Sequence, residues 1–171
     1  GVDYLLGWNA GGSTAASLQQ GRAEFSIDSV VGATVGLTAA NDSNDPREVI
    51  YGFQFTNGVY RIILNGNAVG DAYPHTGLSR FVLERWNGDI TWSVNGAVLH
   101  QAEDAVSARM VLDASLYAGG DAVRSPLLVH YQPAFGTSVA LPAMASTGNI
   151  GSVKSGHAVL PALRSIAYAS H

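Results

Sequence analysis

Four Asn-Gly dipeptides constrain the fold of this chain more than any other feature. Both residues readily adopt positive φ, so the dipeptide is typical of the two-residue turn in a tight β-hairpin. Within each of two pairs the asparagines are eight residues apart, which leaves room for one short strand between the turns. The spacing therefore predicts two β-meanders. The four turns begin at Asn57, Asn65, Asn87 and Asn95.

Hydrophobic and polar residues alternate along the segments between the turns. In residues 89–94, Ile90, Trp92 and Val94 share one face, and the same period of two runs through 22–28 and 109–117. This period is typical of antiparallel strands with one face in the core. We expect about ten strands and a two-sheet, all-β sandwich. Further strands are expected at 4–8, 33–38, 48–55, 80–86, 97–101 and 123–131.

The composition changes after residue 132. Prolines occur at 133, 142 and 161, and Leu-Pro-Ala is repeated at Leu141 and Leu160, which are 19 residues apart. We therefore divide the chain into a sandwich domain, 1–132, and an irregular or extended repeat tail rich in Ala, Gly, Ser and Pro, 133–171. The tail is either a flexible linker or the start of a stalk or assembly segment that lies on the sandwich or on another chain.

Charge and composition exclude several classes of function. The formal net charge is -4, with 9 Lys and Arg against 13 Asp and Glu, so nucleic acid is not an expected partner. No apolar run approaches the roughly 18–20 residues of a membrane helix, so we expect no membrane insertion. The chain has no cysteine, which excludes disulfides and thiolate metal sites.

Several strand segments resemble concanavalin A-like (laminin-G-like) jelly-roll modules. The resemblance covers roughly residues 1–130 and implies an antiparallel jelly-roll sandwich. It rests on YGF at 51–53, SRFVLER at 79–85, VNGAVLH at 94–100 and VLDASLY at 111–117.

The repeated tail resembles a different group, the tail and fibre proteins of bacteriophages. Together the two resemblances imply a structural and adhesive module in a virion tail, with host-surface glycan, other tail proteins and further copies of itself as partners. The alternatives are a secreted, extracellular bacterial carbohydrate-binding module and a purely architectural virion domain.

Catalysis is not expected. Glucanases of the fold that the resemblance implies carry acids in a Glu-x-Asp-x-x-Glu run on one strand, and this chain has no such run. Glu84 and Glu103 are isolated in sequence, and Glu48 follows Arg47, so all three are interpreted as solvent-facing charges. We therefore predict that the chain is not an enzyme and has no cofactor other than calcium.

The loop at 41–45 is the candidate calcium site. Asn41, Asp42 and Asp45 supply the oxygen ligands that Ca²⁺ prefers, and laminin-G-like modules often hold calcium at a sandwich rim. The alternative is a polar Asx turn before Pro46.

Aromatic and amide side chains are the candidate glycan-binding groups, because a flat ring covers the apolar face of a sugar while amides bond its hydroxyls. Trp86 precedes a turn and shares a face with Glu84, so we expect it to point outward, whereas Trp92 belongs to the core set. Packing at the core or rim is the alternative for each residue. The candidates are Trp86, Tyr73, His75 and Asn44.

Overall fold

A computed structural model describes most of the sandwich and parts of the tail. The described residues are 10–27, 32–39, 45–75, 77, 79–118, 121–131, 137–140, 144–145 and 158–159. They form fourteen strands, one 3-10 helix at Pro46–Glu48 and no α-helix. In this part of the chain no helix has the length and apolarity needed to span a membrane. The predicted strand at 4–8 lies outside the described residues.

Two antiparallel sheets contain the strands, and the sandwich prediction is confirmed. The first sheet has the order β14-β1-β10-β3-β4-β5-β6, in which only β14 pairs in parallel. Its strands are β1 Ala10–Leu18, β3 Gly32–Thr38, β4 Tyr51–Thr56, β5 Val59–Leu64, β6 Asn67–Pro74, β10 Met110–Leu116 and β14 Ala158–Val159.

The second sheet has the order β12-β11-β2-β7-β8-β9, and β13 also pairs with β11. Three tail segments, β12 and β13 here and β14 in the first sheet, therefore add to the sandwich, while the division at residue 132 stays a prediction. The strands are β2 Gly21–Ile27, β7 Arg80–Trp86, β8 Asp89–Val94, β9 Ala97–Glu103, β11 Ala122–His130, β12 Thr137–Ala140 and β13 Met144–Ala145.

The four Asn-Gly turns have the predicted backbone. Their asparagines have φ between 47° and 55°, and their glycines between 75° and 87°. Asn is one of the few non-glycine residues that tolerates this region, because its short side chain bonds locally. As a result β5, β7 and β8 occupy the predicted residues.

Aromatic rings from both sheets fill the core. Phe25 of β2 lies edge-on to Phe53 of β4, with 6.2 Å between ring centroids, and stacks on Phe81 of β7. The indole Nε1–H of Trp92 donates to the Gly52 carbonyl oxygen in the facing sheet at 3.0 Å. Trp92 is fully buried, as the alternation predicts.

The outer face of the first sheet differs from the expectation that polar faces meet solvent. Five polar side chains on β3, β4 and β10 of this sheet are at most 7% exposed. Val49 is one residue that covers this face: a Cβ built on Gly36 or on Gly52 would lie 2.6 Å from Val49 Cγ1. The buried polar side chains are Thr34, Thr38, Gln54, Asp113 and Ser115.

Two strands before residue 132 were not predicted. β1 consists almost wholly of small residues and has no apolar alternation, and it is held by its ladder with β10. The other, β6, is an exposed edge strand that pairs with β5 around a bulge. Ladder hydrogen bonds supply order that the side-chain pattern does not encode.

Candidate functional site

Trp86 is the most exposed aromatic side chain in the described part of the chain. Along β7, Phe81, Leu83 and Arg85 point inward, so Glu84 and Trp86 project from the outer face of the second sheet. Trp86 is 48% exposed, and its ring lies edge-on to Tyr131 with 5.3 Å between centroids. About half of the Trp86 side chain is thus open to solvent, and Tyr131 packs against it.

A small recess, here named the rim pocket, adjoins Trp86 at the end of the sandwich. Its volume is about 180 Å³, and three connections meet there: the β1–β2 turn, the β7–β8 turn and the loop after β9. Four of its lining residues carry a side-chain amide or hydroxyl group. The lining residues are Gln19, Gln20, Arg85, Trp86, Asn87, Gly88, Asp104, Val106 and Ser107.

A buried ion pair forms the floor of the rim pocket. Arg85 Nε donates to Asp104 Oδ2 at 2.6 Å, and both side chains are more than nine-tenths buried. The guanidinium also donates to the carbonyl oxygens of Ala108, at 3.0 Å, and of Val106. A buried charge needs such partners, because desolvation otherwise costs several kcal/mol. The ion pair therefore fixes the loop after β9 against β7.

Hydrogen bonds join the three connections that form the rim pocket. Gln19 Nε2 donates to the Ser107 carbonyl oxygen at 3.0 Å, which joins the first turn to the loop after β9. The Asp104 backbone N–H donates to the Gly88 carbonyl oxygen at 2.8 Å. Asn87 and Gln20 are exposed.

A series of polar contacts runs from Trp86 across the outer face. The Tyr131 hydroxyl donates to Glu84 Oε1, and burial together with this carboxylate raises the pKa of Tyr131. Arg22, the ladder partner of Glu84, pairs with Glu24 at 2.6 Å, and Arg80 pairs with the other oxygen of Glu24. Glu84 and Glu24 thus lie on the same face, and Glu24 is two residues along β2 from Arg22, the ladder partner of Glu84.

The structure separates Tyr73 and His75 from Trp86. Tyr73 stacks on Tyr60 with 5.3 Å between centroids, and His75 packs against Phe55 and Phe81. Phe81 is near the start of β7 and Trp86 ends it, a separation of about 17 Å along the strand. The predicted aromatic candidates therefore do not form one site.

Most of the predicted calcium loop, including Asn41, Asp42 and Asn44, lies outside the described residues. Asp45 is described and caps the 3-10 helix, accepting from the Arg47 backbone N–H and from Arg47 Nε, each at 2.9 Å. The hydrogen bond from Arg47 lowers the pKa of Asp45. Within the described ranges, no three His, Cys, Asp or Glu side chains are grouped as metal ligands.

Several residues of the site were not recognised in the sequence. Arg85 is in phase with Phe81 and Leu83, and that signal could have indicated a buried guanidinium in need of a carboxylate. No local signal connects it with Asp104 or connects Tyr131 with Trp86. Glu24 was interpreted only as part of an alternating strand.

Comparison with known proteins finds similarity in structure alone. No protein-family model matches the chain, and no curated protein matches it in sequence. A β-glucanase of Bacillus licheniformis is 13% identical with a TM-score of 0.39, over 61% of this chain and 57% of the glucanase. A prokaryotic β-1,3-1,4-glucanase (lichenase) derived from a mouse hindgut metagenome is 11% identical with a TM-score of 0.40, over 63% and 58%. The chain spans less than two thirds of each glucanase.

Sheep galectin-11 in complex with glycerol is also similar, at 11% identity and a TM-score of 0.39, over 66% of this chain and 96% of the galectin. The prediction that the chain is not an enzyme is contradicted by this comparison, because two of the similar structures are glucanases. One fold can host many functions, so an all-β sandwich gives no ground for excluding catalysis.

Proposed function

We propose that this chain binds carbohydrate at the end of its second sheet, with Trp86 as the stacking platform. The observation that carries the proposal is the half-exposed indole beside the rim pocket. An aromatic face covers the C–H face of a pyranose, and fixed amides and hydroxyls bond its hydroxyl groups. Trp86 provides the aromatic face, and Gln19, Asn87 and Ser107 provide the amide and hydroxyl groups.

The surface around Trp86 fits a sugar better than it fits a protein. Stable protein interfaces have an apolar centre of several large side chains. In the described part of the chain only two large hydrophobic side chains are well exposed, Trp86 and Val98 at 64%. They lie on different strands of the second sheet, β7 and β9, and the residues between them are mostly polar.

We further propose that the module is adhesive and belongs to a bacteriophage tail or fibre, where it contacts host-surface glycan. Support comes from the repeated Leu-Pro-Ala segments at Leu141 and Leu160. A single shallow site binds weakly, and several copies in one particle would raise the overall affinity through a high effective concentration. This proposal includes self-association, other tail proteins as partners and location in the virion.

The second candidate is a secreted carbohydrate-binding module that works as a monomer, with calcium at the loop that contains Asp45. The same Trp86 site favours it, and the oligomeric state distinguishes the two. In sedimentation velocity of the full chain, we expect a defined oligomer if it is the tail module and a monomer if it is the secreted module. Glycan binding that chelator abolishes supports the calcium-dependent form.

Glycan binding by two matched variants tests the main proposal. Trp86→Ala removes the platform, and Val98→Ala removes the other exposed hydrophobic side chain of the same sheet, so it serves as the control. On a glycan array followed by calorimetric titration, we expect Trp86→Ala to weaken binding by about tenfold or more, equivalent to about 1.4 kcal/mol. Val98→Ala should bind as the unmodified chain does.

Two results would overturn the proposal. One is the absence of binding to every glycan on the array by the unmodified chain. The other is equal binding by Trp86→Ala and the unmodified chain. Thermal unfolding of both variants checks that a loss of binding does not come from a loss of fold.

A further inference from the structure

A second recess on the outer face of the second sheet is larger than the rim pocket. This recess, here named the bulge pocket, has a volume of about 460 Å³ and lies where β11 bulges away from β2. One extra residue of β11 stands between its ladder pairs Arg124–Ser26 and Leu127–Glu24. The lining residues are Glu24, Phe25, Ser26, Arg80, Ser125, Pro126 and Leu127.

The backbone at the bulge is in a conformation that costs free energy. Ser125 has φ of 48°, the only positive φ of a non-glycine residue outside the Asn-Gly turns in the described ranges. A β-bulge re-aims side chains, and a non-glycine residue in the left-handed region costs about 1–2 kcal/mol. The conformation opens the sheet beside Glu24, which a regular ladder would have kept closed.

Glu24 is a buried carboxylate on the outer side of the sheet. It is 3% exposed, yet it shares the outer face of β2 with Arg22 and Ser26, opposite Val82 of β7. Arg22 pairs with one carboxylate oxygen at 2.6 Å, and Arg80 pairs with the other. Two guanidinium groups hold this carboxylate in place, which compensates its desolvation.

The bulge pocket and the Trp86 site lie on one continuous face. Glu24 pairs with Val82, four residues before Trp86, so the two sites are about 13 Å apart along the strand. The polar contacts of Glu84, Tyr131 and Arg22 fill the space between them. A ligand that bridged both sites would have to be extended.

We infer that the bulge pocket is a second saccharide subsite, so that the glycan is a neutral oligosaccharide lying across β2 and β7. This inference rests on the proposed binding at Trp86. Arg80, which Glu24 holds in place, donates hydrogen bonds to sugar hydroxyls, Ser26 and Ser125 add hydroxyl groups, and Pro126 offers a carbon surface to the ring. The two charged residues of the lining, Glu24 and Arg80, compensate each other, so the pocket has no net charge of its own and fits a neutral sugar.

The test uses neutral β-linked hexose oligosaccharides with one to six units, in 1,3, 1,4 and mixed linkages, as probes. Between disaccharide and hexasaccharide we expect the affinity of the unmodified chain to rise by about tenfold. Arg80→Ala and Ser125→Gly should remove that gain and leave disaccharide binding unchanged. Arg61→Ala, an exposed arginine on the first sheet, is the matched control and should have no effect.

A second measurement keeps the inference testable if Arg80→Ala unfolds. In the unmodified chain, the backbone amide NMR signals of Ser26 and Ser125 should shift with the hexasaccharide and not with the disaccharide. Ser125→Gly is compatible with the fold because glycine adopts positive φ without strain.

The outcomes separate the two proposals. Affinity that does not depend on length, or bulge-pocket variants that keep the full gain while Trp86→Ala loses binding, would overturn the second subsite alone. Binding to another glycan on the array with no binding of any neutral probe would also overturn the second subsite alone, whereas binding that Trp86→Ala leaves intact would overturn the proposed function and the second subsite with it.

Discussion

Arg85 donates its Nε–H to Asp104 at 2.6 Å directly beneath the surface that Trp86 presents to solvent. The guanidinium points inward from β7, and its sequence neighbour Trp86 points outward. Arg85 therefore anchors the rim, and the adjacent Trp86 provides its binding surface. Stability and recognition are linked at this end of the sandwich, because a change in the loop after β9 also changes the wall of the rim pocket.

The first prediction concerns this ion pair. Asp104→Ala leaves the buried guanidinium of Arg85 without its carboxylate, so we expect the free energy of unfolding to fall by about 3–5 kcal/mol. Denaturation by urea measures the change. The double variant Arg85→Met with Asp104→Leu should lose less than Asp104→Ala alone, since no charge remains buried. A single variant within about 1 kcal/mol of the unmodified chain would contradict a stabilising role for the pair.

The second prediction concerns the hydrogen bond between the sheets. Trp92→Phe removes the indole N–H that bonds the Gly52 carbonyl oxygen and leaves a small void. We expect a loss of about 2–3 kcal/mol in the free energy of unfolding. Trp86→Phe is the control, because an exposed site should change by no more than about 0.5 kcal/mol. Equal losses in the two variants would show that the inter-sheet bond contributes nothing.

The third prediction concerns the close approach of β3 and β4 beneath Val49. A Cβ at Gly36 would lie 2.2 Å from the Tyr51 carbonyl oxygen, and backbone cannot easily move away. Gly36→Ala should therefore lower the free energy of unfolding by about 3 kcal/mol or more. At Gly32 the nearest atom is a side-chain carbon at 3.2 Å, so Gly32→Ala should lose clearly less. A tolerated Gly36→Ala would mean that the two strands separate more readily than the structure indicates.

The fourth prediction concerns pH. Burial, followed by the nearby Arg109, lowers the pKa of His130 below its ordinary value of 6.5. The unfolded chain therefore takes up a proton near that pH before the folded chain does, and stability falls as the pH drops. Urea denaturation between about pH 7.5 and about pH 5 should show a steeper loss in the unmodified chain than in His130→Gln. Identical pH dependence in both would exclude this histidine as the cause.

Local sequence predicted much of the fold. The strands between Asn-Gly turns begin and end at the predicted residues, because the asparagine side chain and the missing Cβ of glycine permit positive φ at adjacent positions. The outward position of Trp86 also follows from a period of two. The sequence did not predict β1 and β6, whose small or polar residues give no alternation.

The candidate site was predicted only in part for a different reason. The rim pocket brings Gln19, Asn87 and Ser107 together from three separate connections, and the bulge pocket depends on how β11 pairs with β2. Strand order and register decide which residues come together at these pockets, and many distant residues determine both.

The sequence alone determined where the chain turns and which side of most strands is apolar, since φ preferences and side-chain alternation act within a few residues. Only the tertiary structure decided which polar residues are buried and which sites form. The polar row of Thr34, Asp113 and Ser115 is covered, whereas the face around Trp86 stays open. Burial depends on what packs against a face from elsewhere in the chain, and local periodicity carries no information about that.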